Sequence, residues 1–193
     1  FDINKPGTRP QDLNGAVLGG TLRQGVLKVG DEIEIKPGMT LKENNQIKYQ
    51  TLKTRIKSLH KGSYNQKELT PGGSASIETE LDMALGKADS LSGCVVSAPS
   101  ILPNITSEIK LKFYLFPELF GATTKTKVDP LKTMEMLMLS VNTSVTVGVV
   151  KKISGSLIDF SLRIPIVPFK GDKVGIARNI NNHWRLIGYG EVI

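Results

Sequence analysis

The 193-residue chain reads as an all-β protein made of two consecutive antiparallel β-barrels. Three observations predict it. Apolar and polar residues alternate with a period of two, glycine and proline interrupt these runs at short intervals, and no stretch of a dozen residues keeps a clean 3.6-residue period.

The alternation runs through the chain. Ile33 and Ile35 alternate with Glu32 and Glu34. Ile109, Leu111, Phe113 and Leu115 alternate with Glu108, Lys110, Lys112 and Tyr114. Val145, Val147 and Val149 follow the same rule, as do Leu162, Ile164 and Ile166. Successive side chains of a strand point to opposite faces, so each set is expected to face a core. Turns are expected at Lys36-Pro37-Gly38, Thr70-Pro71-Gly72-Gly73 and Lys170-Gly171-Asp172. Short helical turns are expected at residues 82–91 and 115–121. Residues 97–104, rich in small residues and proline, read as a hinge. One barrel then covers residues 1–97 and the other 98–193. Lys28-Val29-Gly30-Asp31 and Phe169-Lys170-Gly171-Asp172 form an internal echo. Two related barrels would produce it, and so would the commonness of Gly-Asp turns.

Composition narrows the chemistry. The mean hydropathy of -0.09 and 39% hydrophobic content exclude wholesale disorder and an integral membrane protein. No apolar run approaches the roughly 20 residues of a membrane-spanning helix. Lys and Arg total 25 against 18 acids, a net charge of +7 that favours an anionic partner. The excess lies mostly in the second half, and Lys48, Lys53, Arg55, Lys57, Lys61 and Lys67 follow one another with no acid among them. A single cysteine, Cys94, rules out an intrachain disulfide, and with only His60 and His183 beside it a zinc site is not expected. Cys94, in an apolar run, reads as a small core residue.

No catalytic constellation is legible. Neither histidine has a Gly-x-Ser-x-Gly neighbour or an acid partner in sequence, so the chain is not expected to be an enzyme. There is no phosphate loop. Asp12-Leu13-Asn14-Gly15 matches a GTPase switch motif at two positions only and reads as a turn into the first strand. Asn4-Lys5-Pro6-Gly7 is not the guanine-reading N-K-x-D. Asn104 and Asn142 open chance glycosylation sequons.

Three stretches carry a resemblance. Gly15 to Gly38 resembles the second domain of translational GTPases. The opening Phe1-Asp2-Ile3-Asn4-Lys5-Pro6-Gly7 and the closing Trp184-Arg185-Leu186-Ile187-Gly188-Tyr189-Gly190 make the whole chain resemble domains II and III of the gamma subunit of archaeal and eukaryotic translation initiation factor 2. The resemblance implies a piece of a longer cytoplasmic protein whose GTPase domain is absent. GTP and magnesium are then expected only in that missing domain, and no cofactor here. It also implies partners: the alpha subunit, docking on domain II; the beta subunit, through the missing domain; initiator methionyl-tRNA; and the small ribosomal subunit. The alternative is the same two domains of a specialised elongation factor of the selenocysteine-tRNA type.

The tRNA-contacting residues implied are Gly19, Gly20, Arg23, Lys53, Arg55, Lys57, Gly72, Gly73 and Thr79. Interdomain roles are implied for Arg178, Trp184 and Arg185. Each has a plainer reading beside it. Gly19 and Gly20 permit close approach of a ligand or mark a bend or bulge. Gly72 and Gly73 suit a turn with positive φ. Lys53, Arg55 and Lys57 share one strand face, where they attract phosphate without reading sequence or form a solvated surface. Trp184 is a core or interdomain plug or a stacking platform. The chain departs from the family at Glu78, where glycine is usual, and at Met83, where proline is usual. Glu80 and Ser90 depart as well.

Overall fold

The structure is a computed structural model describing residues 1–43, 46–119 and 126–193. The chain divides into two compact units, Phe1–Leu102 and Pro103–Ile193. The boundary falls five residues beyond the expected one. The division still falls within the expected hinge, and its residues up to Leu102 belong to the first unit, where Lys36 Nζ donates to the Leu102 carbonyl at 3.3 Å and Leu102 is itself buried.

The first unit holds β1 (Val17–Thr21), β2 (Leu27–Lys28), β3 (Glu32–Glu43), β4 (Gln46–Lys61), β5 (Tyr64–Gln66), β6 (Glu68–Leu69), β7 (Ser74–Thr79) and β8 (Val95–Ser97). An antiparallel sheet runs β1-β7-β4-β3-β8, with β5 on β4 and a separate β2-β6 pair. It curls into a half-barrel around Ile33, Ile56, Leu59 and Leu69. Ile33 and Ile35 are buried as expected, but Glu34 between them is buried too, with Lys36 Nζ 3.2 Å from its Oε1. Lys36-Pro37-Gly38 is not a turn. It is a register shift inside β3, between Ile35 and Met39. Gly38 takes φ +86°, and a Cβ there would come 2.1 Å from the Gln50 carbonyl oxygen, so this bulge requires glycine.

The second unit holds β9 (Thr106–Leu115), β10 (Met136–Val141), β11 (Ser144–Ser154), β12 (Leu157–Ile166), β13 (Lys173–Ile180) and β14 (His183–Val192). They close into an antiparallel barrel, β10-β11-β12-β9-β14-β13. Closure leaves no strand edge open. Leu111, Leu137, Leu139, Ile158, Phe160, Ile176 and Ile187 fill the interior, each contributing about 1.5–3 kcal/mol by leaving water. In β9 the expected phase holds, with Ile109 and Leu111 inside and Lys110 and Lys112 outside. In β11 the phase is the reverse of that expected. Thr146, Gly148 and Val150 point inward, while Val145 is 54% exposed. Gly148 explains the reversal. A Cβ there would come 2.7 Å from Leu139 Cδ1 and 2.9 Å from Phe160 Cδ1, so the small residue makes room for the large ones. Ile164 is also outward, although Leu162 and Ile166 are buried.

Helical turns of the 3₁₀ type occupy Met83–Asp89, within the expected 82–91, and are interrupted by a kink at Lys87 and Ala88, where the backbone is not helical. The expected turn at 115–121 is not helical over its described part. Leu115 ends β9, and Glu118 bridges Lys127 in an extended pairing; residues 120 and 121 lie outside the described residues.

The two Gly-Asp turns share one hydrogen-bond plan. Asp31 Oδ2 accepts Lys28 N, and Asp172 Oδ2 accepts Phe169 N. Gly30 N donates to Ile56 O and Ile56 N to Asp31 O, while Gly171 N donates to Val192 O and Val192 N to Asp172 O. The glycines take φ +89° and +86°. Each unit thus docks the last turn before a long strand onto a neighbouring strand in the same way.

Candidate nucleic-acid interface

β4 places the cation row. Thr54 and Ile56 are buried, so the intervening Lys53, Arg55 and Lys57 emerge together on the exposed face. Carboxylates accompany them. Lys53 lies opposite Glu34 and Arg55 opposite Glu32 in the β3–β4 register. Lys57 Nζ is 3.4 Å from Glu78 Oε1 on β7. The register between β4 and β7 shifts at this point. Ile56 pairs with Thr79 and Ser58 with Glu78, which leaves Lys57 as the extra residue of a bulge.

Around Glu78 the structure assembles side chains that sequence reasoning left apart. Ser58 Oγ donates to Glu78 Oε2 at 2.8 Å, and His60 Nε2 lies 3.1 Å from Ser58 Oγ. Serine, histidine and carboxylate are all present, but in the wrong order for nucleophilic catalysis. The serine proton is directed to the carboxylate, and among the described residues no acid orients the imidazole. Alternation shows that Lys53, Arg55 and Lys57 share a face. Only the pairing of β4 with β7, which the sequence does not display, brings Glu78 to Lys57.

The remaining candidates separate. Gly19 and Gly20 lie on β1, exposed, in an unbroken register with Ser76 and Ala75, so neither marks a bulge. A Cβ on Gly20 would meet nothing within 4 Å, and one on Gly19 would meet only the Phe1 ring at 3.3 Å. Arg23 is exposed in the loop after β1. Gly72 and Gly73 adopt φ +122° and +70° in the turn before β7. Thr79 does not reach the surface. It is 0% exposed, and its hydroxyl donates to Ala16 O at 2.7 Å and accepts from Leu81 N at 3.3 Å.

Arg178 has a structural task inside its own barrel. Its Nε donates to Glu135 Oε1 at 2.5 Å, Nη1 to Asp129 O at 2.9 Å, and Nη2 to Pro130 O and Glu135 Oε2 at 3.1 and 3.2 Å. Arg185 stands opposite it, half-buried. Trp184 is 42% exposed and is not a plug of the barrel core.

The motif residues at the start of the chain have structural roles as well. Asn4 clasps Asn14, accepting from its N–H at 2.7 Å and donating to its carbonyl at 2.8 Å. Gly15 must be glycine, because a Cβ would fall 1.9 Å from the Thr79 carbonyl oxygen. Cys94 is half-buried in the turn before β8, and burial pushes its thiol up despite a contact to the Gly38 carbonyl. Among the described residues no three His, Cys, Asp or Glu side chains cluster to hold a metal ion, and no helix is long and apolar enough to cross a membrane.

Comparison with known proteins supplies the context. The sequence profile described as "Initiation factor eIF2 gamma, C terminal" matches residues 107–192. The chain is 46% identical over 192 residues to the translation initiation factor 2 subunit gamma of Methanococcus aeolicus. It is 44% identical over 192 residues to the proteins of that name from Methanocaldococcus jannaschii and Pyrococcus abyssi. In each case the alignment takes in all of this chain and 47% of the relative. Spanning about half the length of these relatives, and similar to them over its own full length, the chain belongs to the family of translation initiation factor 2 gamma subunits.

Proposed function

We propose that this chain is a non-catalytic binding module of translation initiation in the cytoplasm. It docks the alpha subunit of initiation factor 2 through the first unit and contacts the acceptor end of initiator methionyl-tRNA, helping to deliver it to the small ribosomal subunit. The observation that carries this reading is the 46% identity, over all of the chain, to a protein named translation initiation factor 2 subunit gamma. The exposed row of Lys53, Arg55 and Lys57 supports the RNA part of it, since surface cations bind phosphate without reading sequence. The open β1 face at Gly19 and Gly20 allows a polynucleotide backbone to approach closely. In this reading GTP, magnesium and the beta subunit are bound outside these residues.

A pull-down of the chain with purified alpha subunit tests the protein-binding half. Association at tens of micromolar or tighter is the expected result. No association at that concentration would place the docking determinants elsewhere.

A further inference from the structure

We propose that Glu78 is a built-in counter-anion that withholds Lys57 from RNA phosphate and so sets the RNA affinity of this chain below what its cation row would give. The proposal rests on the RNA-contacting reading of that row.

The geometry is local and specific. In an unbroken strand, Lys57 and Ser58 would point to opposite faces. The bulge between Ile56 and Ser58 instead turns both toward β7, where Glu78 stands opposite Ser58. The two carboxylate oxygens are then divided between them. Oε1 faces Lys57 Nζ at 3.4 Å, and Oε2 accepts from Ser58 Oγ at 2.8 Å, with His60 behind the serine. The Glu78 side chain is only 17% exposed against 43% for Lys57. The serine and the strand therefore fix the carboxylate, while the lysine is the mobile partner. A phosphate approaching Lys57 must displace a carboxylate that is held in place by the Ser58 hydroxyl. Lys53 and Arg55 lie on the same face beyond the reach of this clamp, so Glu78 removes one contact from the row rather than abolishing it.

Glu78→Gln isolates the charge, because the amide oxygen still accepts from Ser58 while the attraction to Lys57 is lost. Binding of initiator tRNA is measured over a salt series. One restored phosphate contact steepens the log–log slope by about 0.9 and, at 0.1 M salt, strengthens binding about eightfold. The gain must vanish in Lys57→Gln/Glu78→Gln, as a double-mutant cycle requires of a direct coupling. Glu78→Thr, which keeps a good strand former at the position, must move in the same direction, and circular dichroism checks that each variant is folded. A gain that persists without Lys57 is a net-charge effect and overturns the proposal. No gain from Glu78→Gln, while Lys53→Ala/Arg55→Ala/Lys57→Ala still flattens the wild-type slope, also overturns it but leaves the RNA-contacting face standing. A slope that the triple variant leaves unchanged removes the face and the proposal together.

Discussion

Replacing Arg178 with methionine should destabilise the second unit severely without touching its hydrophobic core. The arginine ties Glu135 and the carbonyls of Asp129 and Pro130 to β13 through four hydrogen bonds. The side chains of Arg178 and Glu135 are 15% and 18% exposed. Methionine keeps the aliphatic bulk but strands the Glu135 carboxylate, which among the described residues retains only the Lys132 N–H at 2.9 Å. Breaking one side of a fully buried ion pair costs about 3–5 kcal/mol, and the partial access of water here lowers that to about 2–3 kcal/mol. For a unit of this size the loss corresponds to a drop in Tm of about 10–20 °C. Trp184, the single tryptophan, lies on β14 of the same barrel, so its fluorescence during urea unfolding reports this unit. Arg178→Met/Glu135→Met should recover a large part of the loss, because no charge is then left unpaired. A single-variant loss below about 0.5 kcal/mol, in the range of an ordinary surface pair, would refute the assignment of Arg178 as a structural clasp.

Three further outcomes follow from the same structure. Glu191 is held below the usual carboxylate range, first by the hydrogen bond from Lys173, and Lys173 is correspondingly raised. The stabilisation from Glu191 is therefore present at neutral pH, above the unfolded value of about 4.3, and is lost as pH falls through its lower folded value. That from Lys173 is lost only as pH rises through its raised folded value, so Glu191→Gln should flatten both limbs of the pH profile of the urea midpoint, and unchanged limbs would refute the pairing. Cys94, with its thiol pushed up by burial, should react with a thiol reagent at pH 7 far more slowly in the native chain than in urea; equal rates would show an open, activated thiol. Calorimetric titration with GTP and magnesium should give no binding heat, and micromolar binding would contradict the reading of this chain as a module without its own nucleotide site.

Much of the fold was legible because alternation is a direct consequence of strand geometry. The phase of β9 could be read because Ile109 and Leu111 contrast with charged neighbours. The phase of β11 could not, because both of its faces carry apolar or small residues. Val147 and Val149 lie opposite Met138 and Met136 on the outer surface, and the deciding residue, Gly148, faces inward through its smallness rather than its hydrophobicity. Lys36-Pro37-Gly38 looked like a turn because proline and glycine mark turns and bulges alike. At the site, the shared face of Lys53, Arg55 and Lys57 was a local property and could be read. Burial of Thr79 and the clamp by Glu78 depend on which strands pair, and in which register, which no single stretch of sequence displays. The four bonds of Arg178 were hidden for the same reason, since their acceptors lie more than 40 residues away in sequence.

The most direct test of the central claim is the salt dependence of initiator tRNA binding by the intact chain and by Lys53→Ala/Arg55→Ala/Lys57→Ala. With Lys57 partly withheld, two to four phosphate contacts are expected, giving a log–log slope of about -2 to -4 for the wild type. The variant slope should be flatter by at least one contact, about 0.9. Identical slopes in the two proteins would show that this row is only a solvated face and would contradict the account of the first unit as an RNA-contacting surface.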